Sequence, residues 1–443
     1  MTGLSLKIKR MKTIFKIIFS SIFCLNVLLL QAQQPLTLSL DSAVKFAIDH
    51  NKTLVGSKYS VDKSTQKIKE AIAVGLPQIS ASVDYTNYLG AEASLQLNPL
   101  APPVTIEFNP TSNFKATASQ LIFNGAYYVG VQLSKLAKTL SEQSYQNDEQ
   151  SVKELTMQAY YTILVSERLL NLVKENVVNS KLIYEKTNNL VKAGTVEEIE
   201  AKKLSVMVTT AENALKSTER QVELGYNLLR LQLGIESDTV IKLTSNLDDM
   251  IQKNIALTAG TEKFNVENNL SYKLLDMQSK IAEKNIDLKK ANYLPTLSAY
   301  YSYTEKIKQS HFDMTPNNVL GLTLSVPIFS SGQKCSQLSQ AKIDYRISAN
   351  TKDLLKQQLT LQEKQLNYNY SNLLEQYLNQ KSSVDVAKEV LEKMNLKYDQ
   401  GLVSSLELTS ANSSYLTSET SYTSILLQLL NADLALKKIN NKL

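Results

Sequence analysis

The chain has 443 residues, 43% hydrophobic against 20% charged, a globular balance that excludes disorder and collagen. Its 2 His and 2 Cys cannot furnish a zinc-ligand cluster or a disulfide framework, and neither a Gly-x-Gly-x-x-Gly nor a Walker A loop occurs, so most cofactor chemistry is excluded and no cofactor or metal is expected. The net charge of +6 is local: Lys7, Lys9, Arg10, Lys12 and Lys16 lie in the first 32 residues, and without them 43 basic residues face 42 acidic ones, which gives a nucleic-acid partner no electrostatic support.

Those five cations precede the apolar run 17–30 and a small residue at Ala32, the pattern of a secretory signal peptide over residues 1–32. A retained anchor is the alternative, but the run is short for a spanning helix of about 20 residues. Cys24 lies inside the apolar run and not at a cleavage site, so only Cys335 remains after processing and no internal disulfide can form.

The next segment, 39–74, reads as helix. Beyond it Ile79, Ala81, Val83 and Tyr85 alternate with Ser80, Ser82, Asp84 and Thr86, which makes a strand with one apolar and one polar face. A proline-rich loop over 98–110 leads to a returning strand at 113–123. No proline follows until Pro295, which frees 126–192 to be one helix of exceptional length, on the order of 100 Å at about 1.5 Å per residue. Gly194 suits the left-handed position that ends it. Thr195-x-x-Glu198 then reads as a capping box opening a return helix. Along that helix Leu204, Val208, Ala211, Leu215, Val222, Tyr226, Leu229 and Leu233 step by threes and fours, as in a coiled-coil seam.

The same order then recurs. Leu76-Pro77-Gln78-Ile79-Ser80 returns as Leu294-Pro295-Thr296-Leu297-Ser298, 218 residues later, and the segment from Gly194 returns from Gly401, offset by 207. The chain is a tandem duplication: a first repeat at 33–234 with its hairpin near 77–124, an equatorial linker at 235–262, and a second repeat at 263–443 with its hairpin near 295–329. The difference between the offsets places a longer hairpin loop in copy one. In copy two Leu297, Ala299, Tyr301 and Tyr303 share a face, with Tyr300 the exception on the polar side. Leu320, Leu322, Leu324 and Val326 form the apolar side of the strand 319–329. A second long helix at 333–400 ends at Gly401, and Ser404-x-x-Glu407 is the capping box that opens the second return helix.

Four strands with one apolar face cannot close a barrel, which takes about eight or more. Either they pack on the helices as ordinary sheet, or several copies pool them in an outer membrane, with Tyr85, Tyr88, Phe114, Phe123, Tyr301, Tyr303 and Phe329 supplying the interfacial rings.

Taken together these motifs resemble the TolC-like outer-membrane efflux proteins over nearly the whole mature chain. The opening segment Leu36-Thr37-Leu38-Ser39-Leu40 to Ala47, the paired Leu-Pro-x-[Ile/Leu]-Ser strand starts, the strand ends Leu121-Ile122-Phe123-Asn124-Gly125 and Pro327-Ile328-Phe329, and the two Gly-x-Val turns fall in the family's order. Lys52 stands where a proline often follows Asn51. The resemblance implies a mainly α fold with a β-barrel portion: a homotrimer whose strands form a twelve-stranded barrel in outer-membrane lipid, above a hollow periplasmic α-helical barrel. It implies an outer-membrane exit duct reaching into the periplasm, non-enzymatic, serving a periplasmic adaptor (membrane fusion protein) and an inner-membrane transporter of a tripartite efflux or type I secretion system.

For the tip, the resemblance carries over an acid six residues after each turn glycine, Glu200 after Gly194 and Glu407 after Gly401, and a tyrosine before the second glycine, Tyr398. These are the candidate gate and adaptor-docking residues. Val403 and Ser410 stand where the family's namesake has a locking arginine and a second lining acid. The other reading of Glu200 and Glu407 is that of solvated capping acids. Two other functions compete. A periplasmic enzyme would need clustered titratable groups, whereas His50 and His311 lie on a helix and in a hairpin loop, far apart. A periplasmic structural coiled-coil or adaptor protein is disfavoured by the four amphipathic strands.

Overall fold

The structure, a computed structural model, describes residues 35–96, 102–247, 250, 264–309 and 313–443. The expected signal peptide, Cys24, His311 and parts of the 98–110 loop and 235–262 linker lie outside the described residues. In chain order the first repeat contains β1 (Leu36–Leu38), α1 (Leu40–His50), α2 (Lys52–Ala73), β2 (Gln78–Thr86), β3 (Glu92–Leu95), β4 (Val104–Glu107), β5 (Thr111–Asn124), α3 (Gly125–Lys192) and α4 (Glu198–Leu233). After β6 (Ile241–Leu243) the second repeat supplies α5 (Leu270–Ala291), β7 (Thr296–Lys308), β8 (Asn318–Ser325), α6 (Gln333–Asp399) and α7 (Ser405–Ile439).

Three boundaries differ from the sequence reading. The helix expected over 39–74 is two helices, because Asn51 leaves helical geometry (φ −59°, ψ 127°) and its side chain caps the second one. Backbone at that ψ also suits a residue that precedes proline, and Lys52 is the first helical position, where proline is well tolerated. The strand expected to reach Phe329 stops at Ser325, ahead of Pro327, which has no N–H to continue a ladder. The longer first loop contains a small antiparallel hairpin, β3 with β4.

The helices α3 and α6, 68 and 67 residues long, run roughly 100 Å from the sheet to a distal tip. At the sheet end the packing order is α2, α3, α5, α6; toward the tip it is α4, α3, α7, α6. Each unbroken helix is therefore flanked by a column made of two shorter helices set end to end.

The splice has the same design in both copies. Asn51 accepts hydrogen bonds from the amides of Thr53 and Leu54 at the start of α2, while its Nδ2 donates to the Gln232 carbonyl at the end of α4, 2.8 Å away. Asn269 caps α5 through Ser271 and Tyr272 and donates to the Ile439 carbonyl of α7 at 3.0 Å. One side chain thus satisfies orphan donors of one helix and an orphan acceptor of the other, and the junction sets a negative dipole end against a positive one. Asn51 and Asn269 are separated by 218 residues and their carbonyl partners by 207, so both repeat offsets meet at this joint. Each lower helix ends in a left-handed residue, Gly234 (φ 67°) and Asn441 (φ 56°). Only glycine fits at the first, where a Cβ would lie 2.3 Å from the His50 carbonyl.

The core lies around these joints. Leu38, Ala43, Ala47, Leu54, Ile163, Leu229 and Leu233 form one cluster with Tyr160. On the other side of α3, Tyr161 packs with Leu373, Tyr377, Tyr422, Leu426 and Leu430. The Tyr160 hydroxyl donates to the Leu38 carbonyl at 3.0 Å and accepts from the Ser245 amide at 3.2 Å, tying the parallel pair of β1 and β6 to the shaft. Of the expected α4 seam, Leu204, Ala211, Val222, Leu229 and Leu233 are buried. His50 is exposed and stacks on Phe46.

The sheet has the order β2, β5, β7, β8, all antiparallel. Each copy contributes one hairpin, and β5 pairing with β7 joins the copies. Register puts Val83 opposite Phe114, Ala118 opposite Tyr301, Tyr301 opposite Leu320 and Leu297 opposite Leu324 on one apolar face, which Glu305, opposite Phe114, interrupts. Ser82, Lys115, Thr117, Ser302 and Thr323 occupy the other face. A bulge at Ile122 brings Phe123 opposite Leu297. Tyr300, the exception to the alternation, lies across Gly321, where a Cβ would come within 2.5 Å of its ring. The apolar face is bare: Ile79 is 81% exposed, Leu320 80% and Leu322 71%. No helix among the described residues is long and apolar enough to cross a membrane.

Asn51→Ala and Asn269→Ala should each destabilise the chain by about 2 kcal/mol, one cap plus one hydrogen bond to a buried carbonyl. Hydrogen exchange should show α2 or α5 fraying at its first turn in the matching variant. Full protection at those amides in both variants would show that the joints do not depend on the asparagines.

Candidate functional site

At the distal tip α3 ends on Gly194 (φ 75°) and α6 on Gly401 (φ 72°). In the first turn the Gly194 amide donates to the Val191 carbonyl and the Thr195 amide to that of Leu190. In the second, the Gly401 amide donates to Tyr398 and the Leu402 amide to Lys397. Both are Schellman terminations, and the left-handed residue each requires explains the glycines.

The restarts differ. Ser404 and Glu407 form the expected capping box: the Ser404 hydroxyl accepts from the Glu407 amide at 3.2 Å, and the Glu407 carboxylate accepts from the Ser404 amide at 2.7 Å. The expected first box does not form. Thr195 turns its hydroxyl back to the Leu190 carbonyl, and α4 starts behind Glu197, which makes no side-chain cap. Threonine is spent on closing the preceding helix, so it cannot open the next.

The four helices meet over a small core of Ile183, Leu204 and Leu408 with Met207, Leu391, Met394 and Tyr398 against it. Between the two turns lies a cleft of about 740 Å³ lined by Leu190, Val196, Glu200, Tyr398, Val403 and Leu406 among others. Tyr398 shares a hydrogen bond of 2.9 Å with the hydroxyl of Thr187, which is buried. Beside it, Lys186 pairs with Asp399 at 2.9 Å. Glu200 is held by Lys203 at 2.8 Å and accepts a longer bond of 3.3 Å from the Ser405 hydroxyl. The links between α3 and α6 and between α4 and α7 therefore all join repeat one to repeat two.

The structure brings Glu200, Tyr398 and Gly401 together on one cleft. Gly194 and Glu407 are not among the residues lining it, and the Glu407 carboxylate is folded back on Ser404. Both acids are held below the usual glutamate range: Glu407 by the Ser404 amide and then its hydroxyl, Glu200 chiefly by its hydrogen bond to Lys203. Depressed values mean that both stay ionised above the ordinary glutamate pKa. Whatever they stabilise is lost only as pH falls through their lowered values.

Sequence reasoning missed Lys186, Thr187, Asp399 and Ser405. A signal existed for Thr187. The buried stripe of α3 runs Val173, Val177, Ser180, Ile183, Thr187, so a polar residue occupies a seam position, where it must find a partner. Nothing in the repeat pattern points to Lys186 or Asp399. Among the described residues no group of three or more His, Cys, Asp or Glu is placed to hold a metal ion.

A long helical shaft of two repeats, ending in an amphipathic sheet at one end and paired helical turns at the other, is a fold that this chain shares with solved outer-membrane channels. The chain is similar to the outer-membrane efflux proteins in its second repeat and in its fold. The family model described as "Outer membrane efflux protein" matches residues 267–442. "Outer membrane protein TolC" of Escherichia coli (strain K12) is 24% identical over 321 residues, 67% of this chain and 60% of that protein, so the match spans less than two thirds of that relative. The Campylobacter jejuni CmeC outer membrane channel superposes with a TM-score of 0.73 at 15% identity, over 91% of this chain and 85% of that one. The open state of the Neisseria gonorrhoeae MtrE outer membrane channel gives 0.67 at 16% identity, over 90% and 88%. The last two show the fold.

Thr187→Val and Tyr398→Phe each delete one side of the same hydrogen bond. Their double-mutant cycle should return a coupling of about 1 kcal/mol, measured by denaturant unfolding of the tip. Strict additivity would mean that the two hydroxyls do not bond to each other.

Proposed function

We propose that the chain is the outer-membrane exit duct of a tripartite efflux or type I secretion system, conducting without chemistry what an inner-membrane transporter and a periplasmic adaptor deliver. The observation that carries this reading is the sheet. It presents a bare apolar face, and the outer edges of β2 and β8 have no strand partner among the described residues. In a bilayer, unpaired strand edges are not tolerated, so edges must find edges on other copies. Three chains joined β8 to β2 make a closed ring of twelve strands with the apolar face in lipid and Ser82, Thr117 and Ser302 toward the lumen. The helices, curling likewise, form a periplasmic tunnel that ends at the turns.

The tip residues Gly194, Glu200, Tyr398, Gly401 and Glu407 are then the gate and adaptor-docking end. Holding comes mainly from packing and hydrogen bonds, since Val403 offers no charge and Tyr398 is engaged with Thr187. Threefold symmetry would gather three copies of Glu407 into an acidic ring that favours cations. A soluble coiled-coil or adaptor protein has no use for the bare sheet.

In mild detergent the protein should be a trimer by native mass measurement. Arginine at Val83 or Leu324 should cost about 2–4 kcal/mol at the lipid midplane, while arginine at Ser82 or Ser325 should cost far less. A stable monomer, or equal tolerance on both faces, would refute the barrel. At the other end, Glu407→Gln should lower cation selectivity in planar-bilayer recordings of the purified trimer. Unchanged selectivity would leave Glu407 a capping acid only.

A further inference from the structure

Charge is distributed unevenly along the shaft. In the eleven helical residues nearest the sheet on each of α2, α3, α5 and α6 (63–73, 125–135, 281–291 and 333–343) there are nine cations and three acids. In the corresponding spans at the tip (182–192, 198–208, 389–399 and 405–415) there are six cations and seven acids. The pairing differs as well. At the tip Lys186, Lys202 and Lys203 each lie 2.8–2.9 Å from a carboxylate. Near the sheet Lys63, Lys67, Lys69, Lys135 and Lys342 are exposed, and among the described residues none has a carboxylate within ion-pair distance.

The helix dipole does not account for this belt. It favours cations at helix C-termini, as for Lys289 and Lys290 at the end of α5. Lys334, however, sits in the first turn of α6, where the dipole opposes it. Its ammonium instead donates to the Asn292 carbonyl at 2.6 Å and lies over the Tyr293 ring at 5.6 Å. Between the belt and the apolar sheet face lies a zone of exposed large side chains: Tyr128, Tyr293, Leu294, Ile328 and Phe329, the last 86% exposed. The axial order is apolar face, then aromatic and aliphatic rim, then unpaired cations, which is the order of hydrocarbon, interface and phosphate on one side of a bilayer.

We propose that this belt binds the phosphate headgroups of anionic phospholipids on the periplasmic side of the membrane. The proposal rests on the outer-membrane reading above and adds a ligand class to it. Unpaired lysines gain more from a phosphate than from water because the partner is fixed at the depth that the apolar rim sets. Lysine stems laid along that rim let the charges reach up to the headgroups.

The test uses the full-length mature protein in mild detergent, titrated with phosphatidylglycerol or phosphatidylcholine and followed by native mass spectrometry and thermal unfolding. Phosphatidylglycerol should bind at least tenfold more tightly than phosphatidylcholine and raise the melting temperature, with the preference shrinking as salt rises. The variant carrying Lys63→Gln, Lys67→Gln, Lys69→Gln, Lys135→Gln and Lys342→Gln should lose most of that preference while binding phosphatidylcholine as before, which also shows that its rim is intact. Equal affinity of the parent protein for both lipids would overturn the proposal and leave the duct standing. So would a variant with unaltered lipid preference but reduced anion permeability in bilayer recordings, which would place the belt in the lumen. A protein that binds neither lipid and fractionates as soluble would overturn the duct reading as well.

Discussion

The constraint that organises this chain is a mismatch of helix lengths. The helices α3 and α6, of 68 and 67 residues, must be covered along their whole length, yet each hairpin and each tip turn sends back helices of only 22 to 36 residues. The chain resolves this by splicing two short helices into a column, and Asn51 and Asn269 make the splice. Left open, each joint would bury the ends of two helices without partners, and an unsatisfied buried polar group costs about 1–3 kcal/mol. The equatorial core then follows, because α1, β1 and β6 gather where the columns change over, and Tyr160 bonds to the backbone of that layer.

At the sheet, the same duplicated plan gives a different result. The β5–β7 pairing fuses two hairpins into one four-stranded ribbon, and among the described residues no segment covers its apolar face or its outer edges. A protein kept in water would hide such a surface. The tip solves the opposite problem. There turns are closed by their own backbone bonds, and the repeats are held to each other by a small core and by side-chain pairs such as Thr187 with Tyr398. The larger buried clusters lie at the middle, and the tip has the smaller one.

Much of this was legible in the sequence because it rests on period and spacing. The proline-free stretches, the two offsets, the strand alternation and the turn glycines each follow from local backbone rules, and they located the hairpins, the long helices and the tip. The break at Asn51 was hidden because no proline or glycine marks it, and its cause is a hydrogen bond to a carbonyl 181 residues away. Thr195 followed by Glu198 matched a capping pattern, but threonine chose the preceding helix. Tyr300 broke the alternation for a reason visible only once Gly321 lay opposite it. The partners of Tyr398 and Glu200 come from the other repeat, and no rule of spacing within one repeat reaches them.

The splice also bears on the mechanics of the shaft. In engineering terms α3 and α6 are continuous members and the columns beside them are jointed ones, with the joints of both columns at one level. Axial compression is carried by backbone hydrogen bonds in every helix, so the shaft is stiff along its length. Bending is different: at the level of the joints only α3 and α6 are unbroken, and each column is held there by an asparagine and by the core packed around it. The buried clusters at mid-height thus brace the one level at which both columns are interrupted, as a collar braces a spliced beam.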